Sequence, residues 1–365
     1  MFRKSAGTPP KLDTQHAGSP MSTEPVVGRR LRAYLEFVAA VFYFFLARSM
    51  AHRAATGLVN DAWLPLVEQC MLLFLLLVGF ACFGMLIDRE KHPVSEQGLP
   101  LREGWQSEAG MGLAIGWGTA IACALILTIT GGIAIVLVLQ PSSWGWLLAD
   151  GAYFAVAAMA EEVAFRGYGF QRFIQCVGPV GASLGFAVFY ALVQSLLPGS
   201  SHASIAVSMV FSLALSLAYL RTRALWFSWG LNFGWKASRA LIFGLTVSGV
   251  SSHSSIVEGI PMGNFWFTGG GYGLDGSWMA FLLFLAAIPV VYRTTRDLDF
   301  HYNVPVVVPG GIPVDMDAAA KRQHDAAMAT HENTPPPLVQ ILPSASPAAS
   351  NEVNRAPQDD PVDSH

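Results

Sequence analysis

Charge is what this chain has least of. Of its 365 residues, 22 are Lys or Arg and 25 are Asp or Glu, 13% in all, against roughly 25% in an ordinary soluble chain. That is too little to coat soluble domains. Cysteine is scarce too. Cys70, Cys82, Cys123 and Cys176 are the four; three lie in apolar runs and none forms a C-x-x-C pair, which excludes a disulfide framework and a cysteine zinc site of the usual spacing. No basic stripe offsets a formal net charge of −3, which argues against a nucleic-acid partner. The nine histidines contain no H-E-x-x-H, and no repeat of ~20–50 residues suggests a solenoid. What is abundant is apolar: Ala, Val, Ile, Leu, Met, Phe, Trp, Tyr and Cys make 53%. Such a chain takes a bilayer as its solvent.

Apolar runs of about 20 residues, the length that crosses ~30 Å of hydrocarbon, recur at about 34–50, 63–87, 111–139, 147–170, 179–197, 204–220, 224–248 and 276–292. The expected fold is therefore an all-α, polytopic membrane protein with about eight transmembrane helices. Basic residues support the count. They gather before the first span (Arg29, Arg30, Arg32), after the second (Arg89, Lys91, Arg102), at the end of the fourth (Arg166, Arg172), after the sixth (Arg221, Arg223) and after the eighth (Arg293, Arg296). The alternate loops hold only Arg53, with Arg48 at a span edge. Cytoplasmic loops carry the excess of Lys and Arg, so both termini are expected inside. Residues 1–31 and 299–365 are polar and Pro-rich with few aromatics, and read as a disordered arm and tail around a helical membrane domain at 32–298. The stretch 249–275 reads as an outer loop lying on the membrane surface.

An ionisable residue inside a span costs at least ~2.5–3.5 kcal/mol near the centre, so each one is a functional hypothesis. Glu36, Glu68 and Asp150 fall near span ends and suit structural or interfacial roles. Glu161 and Glu162 do not. They are adjacent carboxylates halfway along a helical stretch from about 146 to 175, and Arg166 follows Glu162 at i+4, on the same face. Glu161 is rotated by ~100° from Glu162. One acid can be held by the arginine while the other faces a cavity, which separates their pKa values as general acid–base work requires. The competing reading is a buried ion cluster that locks helices together.

Glu161-Glu162-Val163-Ala164-Phe165-Arg166-Gly167-Tyr168 resembles the E-E-x-x-x-R-G signature of the CPBP family, the CAAX-processing and bacteriocin-processing intramembrane proteases that include the Ras-converting type. Tyr190-Ala191-Leu192-Val193-Gln194 resembles the family's F-x-x-x-H helix, and Gly230-Leu231-Asn232-Phe233-Gly234-Trp235-Lys236 its G-L-H-F-G-W-N helix. The runs Phe243–Gly249 and Thr268–Gly273 are similar to its bacterial branch, so the resemblance covers about 145–278. It implies that Glu161 activates water for attack on a peptide carbonyl, with Glu162 and Arg166 as supports. It implies two histidines and an asparagine on later helices that position water, hold a metal in some proposals, and stabilise the oxyanion.

Here the chain departs from the pattern. Gln194 and Asn232 stand at the two histidine positions and Lys236 at the asparagine. Amides can donate to an oxyanion, but they are poor zinc ligands and cannot exchange a proton near neutral pH. Zinc is thus implied by the family and disfavoured by these residues. Lys236 could stabilise an oxyanion or pair with Glu161 and weaken it as a base. Arg239, one turn on, is placed to join the cluster, and His202 is the best substitute histidine. One tension is geometric: Gln194 comes late in its span, so it meets mid-depth Glu161 only if the glutamate helix is long or tilted.

The reading is an intramembrane endopeptidase of the CAAX-processing type in a bacterial plasma membrane, cleaving a membrane-associated or prenylated peptide among membrane lipids. The candidate site is Glu161, Glu162, Arg166, Gln194, Asn232 and Lys236. The alternative is a pseudoprotease, a scaffold that binds a membrane segment without cutting it. A transporter ranks last, because no inverted repeat or pair of broken short helices is visible.

Overall fold

A computed structural model describes residues 26–90, 92–137 and 144–302; most of the expected arm and tail lies outside these residues. In chain order the elements are α1 (Val26–Leu58), α2 (Leu64–Phe83), α3 (Pro93–Glu96), α4 (Trp105–Ile129), β1 (Ile133–Leu137), α5 (Trp144–Arg166), α6 (Tyr168–Ser195), α7 (His202–Thr222), α8 (Trp226–Ala237), β2 (Val257–Pro261), α9 (Phe265–Thr268) and α10 (Trp278–Tyr302). The two strands form one small antiparallel pair. Everything else of length is helix.

Six helical segments among the described residues are long and apolar enough to cross a membrane. Their faces are sorted as a lipid solvent demands. Along α1 the small residues Ala33, Ala40, Ala47, Ala51 and Ala55 are buried, while Leu31, Phe42, Phe45 and Leu46 stand exposed. Small side chains let helices approach, and large apolar ones lose nothing by facing lipid tails. This is a multi-pass integral membrane protein.

The expected set of eight spans differs from this in three places. The third, expected at 111–139, begins earlier at Trp105 and ends as helix at Ile129, and Ile133–Leu137 is strand β1. The fourth and fifth spans are one helical segment, Trp144–Ser195, of 52 residues. It bends at Gly167 and reverses at Gly178, whose φ of +82° only glycine adopts without strain, followed at once by Pro179. The seventh, expected at 224–248, is only the twelve residues of α8 plus a π-helical turn, Ser238–Ile242. It can be short because protein surrounds it: Phe227, Ser228, Gly230, Leu231, Asn232, Gly234 and Trp235 are all buried. The first helix begins at Val26, ahead of the expected boundary at 32.

Close contact between α4 and α8 sets the position of α8. Each helix carries glycines four apart, Gly112 and Gly116 on one and Gly230 and Gly234 on the other. A Cβ at Gly112 would overlap the carbonyl oxygen of Phe227, and one at Gly116 that of Leu231; in return, Gly230 and Gly234 lie against the carbonyls of Ala109 and Leu113. Backbone meets backbone, as in small-xxx-small packing.

Contacts sort the helix ends into two sets. At one end Arg172 on α6 pairs with Glu36 on α1 at 3.6 Å and with Asp88 and Glu90 after α2 at 2.9 Å each. Gln171 donates to the Glu96 carbonyl and to Tyr219 of α7, Arg102 to the Thr222 carbonyl, and Arg221 to Thr295 of α10. At the other end His52 meets Glu68 at 2.9 Å, the rings of Trp63 and Trp146 lie 5.3 Å apart, and Asp150 holds His253 at 2.8 Å. The first end collects the arginines; the second does not.

Candidate active site

The descending limb α5 and the ascending part of α6 resolve the depth problem. Glu161 lies 178 − 161 = 17 residues before the reversal and Gln194 lies 194 − 178 = 16 after it. At 1.5 Å per residue both stand about 25 Å from Gly178. The limb is long, so the two meet.

Glu162 and Arg166 share a face, one helical turn apart, and both are fully buried. Arg166 Nη1 approaches Glu162 Oε1 at 3.5 Å, and its Nη2 donates to the Ser212 hydroxyl at 2.7 Å and the Ser212 carbonyl at 3.2 Å. This is a charge contact rather than a two-pronged fork. Asn232 on α8 ties the two glutamates together: its Nδ2 donates to Glu161 Oε2 at 3.1 Å and to Glu162 Oε1 at 2.9 Å.

Glu161 faces the other way, as the rotation between neighbours requires. Lys236 Nζ donates to its Oε1 at 2.5 Å. Tyr190 donates to its Oε2 at 3.3 Å, and Gln194 Nε2 donates to the Tyr190 oxygen at 3.0 Å. All six sequence candidates therefore come together, Gln194 at one remove through Tyr190. Lys236 does not fill the space. A cavity of about 310 Å³ runs from Glu161, Tyr190, Gln194 and Lys236 past Tyr153 to Arg48 and Glu68, and the Glu161 side chain keeps 27% of its exposure.

Two expectations change. Arg239 does not join the glutamates. It pairs with Asp275 at 2.9 Å and lies over the Trp235 ring at 4.2 Å; the Trp235 indole and Ser248 also donate to Asp275. Burial by itself would raise the Asp275 carboxyl, but the Arg239 charge and the hydrogen bonds from Arg239 and Trp235 hold it below its usual value. His202 opens α7 without lining the cavity, and His253 is held by Asp150 instead. Tyr190, Ser212 and Asp275 carried no role in the sequence reading. Tyr190 stands at the aromatic position of its motif, where a ring reads as packing; Asp275 sits in a loop with no periodicity to reveal it.

The donor set does not fit zinc. An ammonium occupies one oxygen of Glu161 and an amide N–H donates to the other, so hydrogen-bond donors stand where a cation would need lone pairs. Among the described residues no three His, Cys, Asp or Glu side chains group closely enough to hold a metal ion.

No curated protein and no solved structure matches the chain. Residues 141–238 match the family model described as type II CAAX prenyl endopeptidase Rce1-like. That stretch, about a quarter of the chain, contains all six residues of the cluster, and over it the chain is similar to the CAAX-type intramembrane proteases.

Proposed function

We propose that this protein holds a membrane-associated peptide or protein segment in the cavity beside Glu161 without hydrolysing it, on the scaffold of a CAAX-type intramembrane endopeptidase. It does so as a bacterial plasma-membrane protein with both termini cytoplasmic. The observation that carries this reading is the engagement of both Glu161 oxygens, by an ammonium on one and two neutral donors on the other. Lys236 occupies Oε1, and Tyr190 and Asn232 share Oε2. A general base must offer a lone pair to water, and an adjacent ammonium favours the ionised carboxylate and so weakens it as a base. The Asn232 amide hydrogens point at carboxylates, not at a position where an oxyanion would form.

A second reading, glutamate-activated hydrolysis, is favoured by the cavity itself. At about 310 Å³ it has room for several side chains of a substrate, and Glu161 opens onto it. In that case Lys236 would turn from Glu161 to the developing oxyanion.

A fluorogenic prenylated CAAX peptide offered to the protein in lipid nanodiscs separates the two. The expected result is saturable binding without cleavage, with binding kept in Glu161→Gln. The triple variant Gln194→His, Asn232→His, Lys236→Asn is expected to gain cleavage. Wild-type turnover that disappears in Glu161→Gln would overturn the non-hydrolytic reading in favour of the second.

A further inference from the structure

The geometry points to an extracytoplasmic entrance: the cavity admits a peptide segment presented from the outer face of the membrane, not a cytoplasmic chain end. This rests on the proposed binding of a membrane segment, whether or not the segment is cut.

Three observations carry it. First, the two ends of the bundle differ in charge. The end that joins Arg32, Arg102, Arg172 and Arg221 gathers nearly every basic loop residue, while the opposite end has Arg48 and Arg53. The basic end is the cytoplasmic one.

Second, the cavity ends at Phe165 just below Glu161 and extends from there toward the opposite end. Beyond Glu161 its walls are Leu64, Pro65 and Glu68 at the start of α2, Leu197 after α6, and Val250 in the loop that follows α8. These belong to the same end as the His52–Glu68 and Trp63–Trp146 contacts.

Third, the way to the basic end is filled. Below Glu161 lie Glu162 and Arg166, both fully buried, and the ring of Phe165 packs against Tyr190 at 5.0 Å and Phe44 at 5.7 Å. A groove at the basic end, lined by Glu96, Gln171, Gln175, Tyr219 and Arg223 among others, shares no lining residue with the cavity.

The walls also describe the occupant. Leu64, Phe154, Val193, Leu197 and Val250 present apolar surface, interrupted by the charged residues Arg48 and Glu68 near the mouth and by Glu161 and Lys236 at the floor. A segment that is apolar along its length, anchored in the outer leaflet and carrying peptide groups to the floor, matches that surface.

Labelling in sealed vesicles tests the direction without any substrate. Ala157→Cys places a thiol deep in the cavity, Glu68→Cys one at the mouth, and Gln175→Cys one in the groove at the basic end. A membrane-impermeant sulfonated methanethiosulfonate is applied to right-side-out and inside-out vesicles of the full chain, and each site is read separately by mass spectrometry with the four native cysteines in place. Ala157→Cys and Glu68→Cys are expected to react severalfold faster in right-side-out vesicles, and Gln175→Cys in inside-out ones. Faster reaction of Ala157→Cys in inside-out vesicles, or reaction from neither side, overturns the inference. If Ala157→Cys does not fold, Val193→Cys reports on the same wall. The readout involves neither binding nor turnover, so a peptide that fails to bind sinks the functional reading while leaving the entrance to be judged by the labels.

Discussion

Lys236 on α8 reaches Glu161 on α5 at 2.5 Å, while Asn232, one turn earlier on the same helix, spans Glu161 and Glu162. One face of α8 thus supplies a charge to the carboxylate that faces the cavity and a neutral donor to both. The arrangement is asymmetric: Glu162 and Arg166 are fully buried, whereas Glu161 keeps access to the cavity. Removing a cation should therefore have different consequences on the two sides.

Arg166→Met should cost about 3–5 kcal/mol, because it leaves Glu162 a buried and uncompensated charge. Lys236→Met should cost clearly less, since Glu161 can turn to cavity water and keeps Tyr190 and Asn232. Thermal unfolding in detergent, followed by circular dichroism, gives the order. A Lys236 variant as damaged as the Arg166 variant would mean that the cavity is dry and the pair is a structural lock.

The crossing of α4 and α8 should be intolerant of a single methyl group. Gly112→Ala drives a Cβ into the Phe227 carbonyl and should destabilise by about 1–3 kcal/mol through overpacking. Gly118→Ala lies on the same helix with nothing within 4 Å of its Cβ, and should be neutral or stabilising by up to about 1 kcal/mol from helix propensity alone. Paired melting curves measure both, and equal effects would contradict the close approach.

Asp275→Asn should unfasten the loop before α10. It leaves the fully buried Arg239 without its carboxylate, at about 3–5 kcal/mol. The pH sign follows from the lowered carboxyl. Its stabilisation is fully present above the ordinary value of 3.8 and is lost as pH falls below that through the depressed folded value. Melting temperatures measured between pH 3 and 7 should show wild type losing stability at the acidic end. That component should be missing from Asp275→Asn.

Gly178→Ala should weaken the reversal between the two limbs of the 52-residue segment. A residue with a Cβ is strained by roughly 1–3 kcal/mol at φ +82° and ψ 169°, a conformation essentially confined to glycine. Because Glu161 and Gln194 are held at one height by this turn, peptide affinity in nanodiscs should fall along with the melting temperature. A drop in stability with affinity unchanged would show that packing above the turn suffices to align them.

Much of the site was legible in local pattern. Adjacent glutamates with an arginine at i+4 inside an apolar run specify a split pair of carboxylates on one helix, because helix geometry alone turns neighbours by ~100°. The amide and lysine replacements at the later positions marked Lys236 as either a free donor or a partner of Glu161. Nothing local chooses between those, since they differ only in where α8 lies relative to α5. The glycines four apart on α4 and α8 carried that information in the sequence, but only as a pair, and a single G-x-x-x-G does not name its partner.

Composition and the spacing of apolar runs determined that this chain is a helical membrane protein, because a bilayer leaves a backbone few other ways to satisfy its hydrogen bonds. The placement of arginines set the expected orientation, through a rule that acts on loops one at a time. Only tertiary structure decided that the seventh expected span is a short helix enclosed by protein, that Arg239 turns to Asp275, that Lys236 closes on Glu161, and that the cavity opens away from the arginines. Each of these depends on which helix faces share an interface, a matter of close packing between segments far apart in the chain, and no periodicity within one segment encodes it.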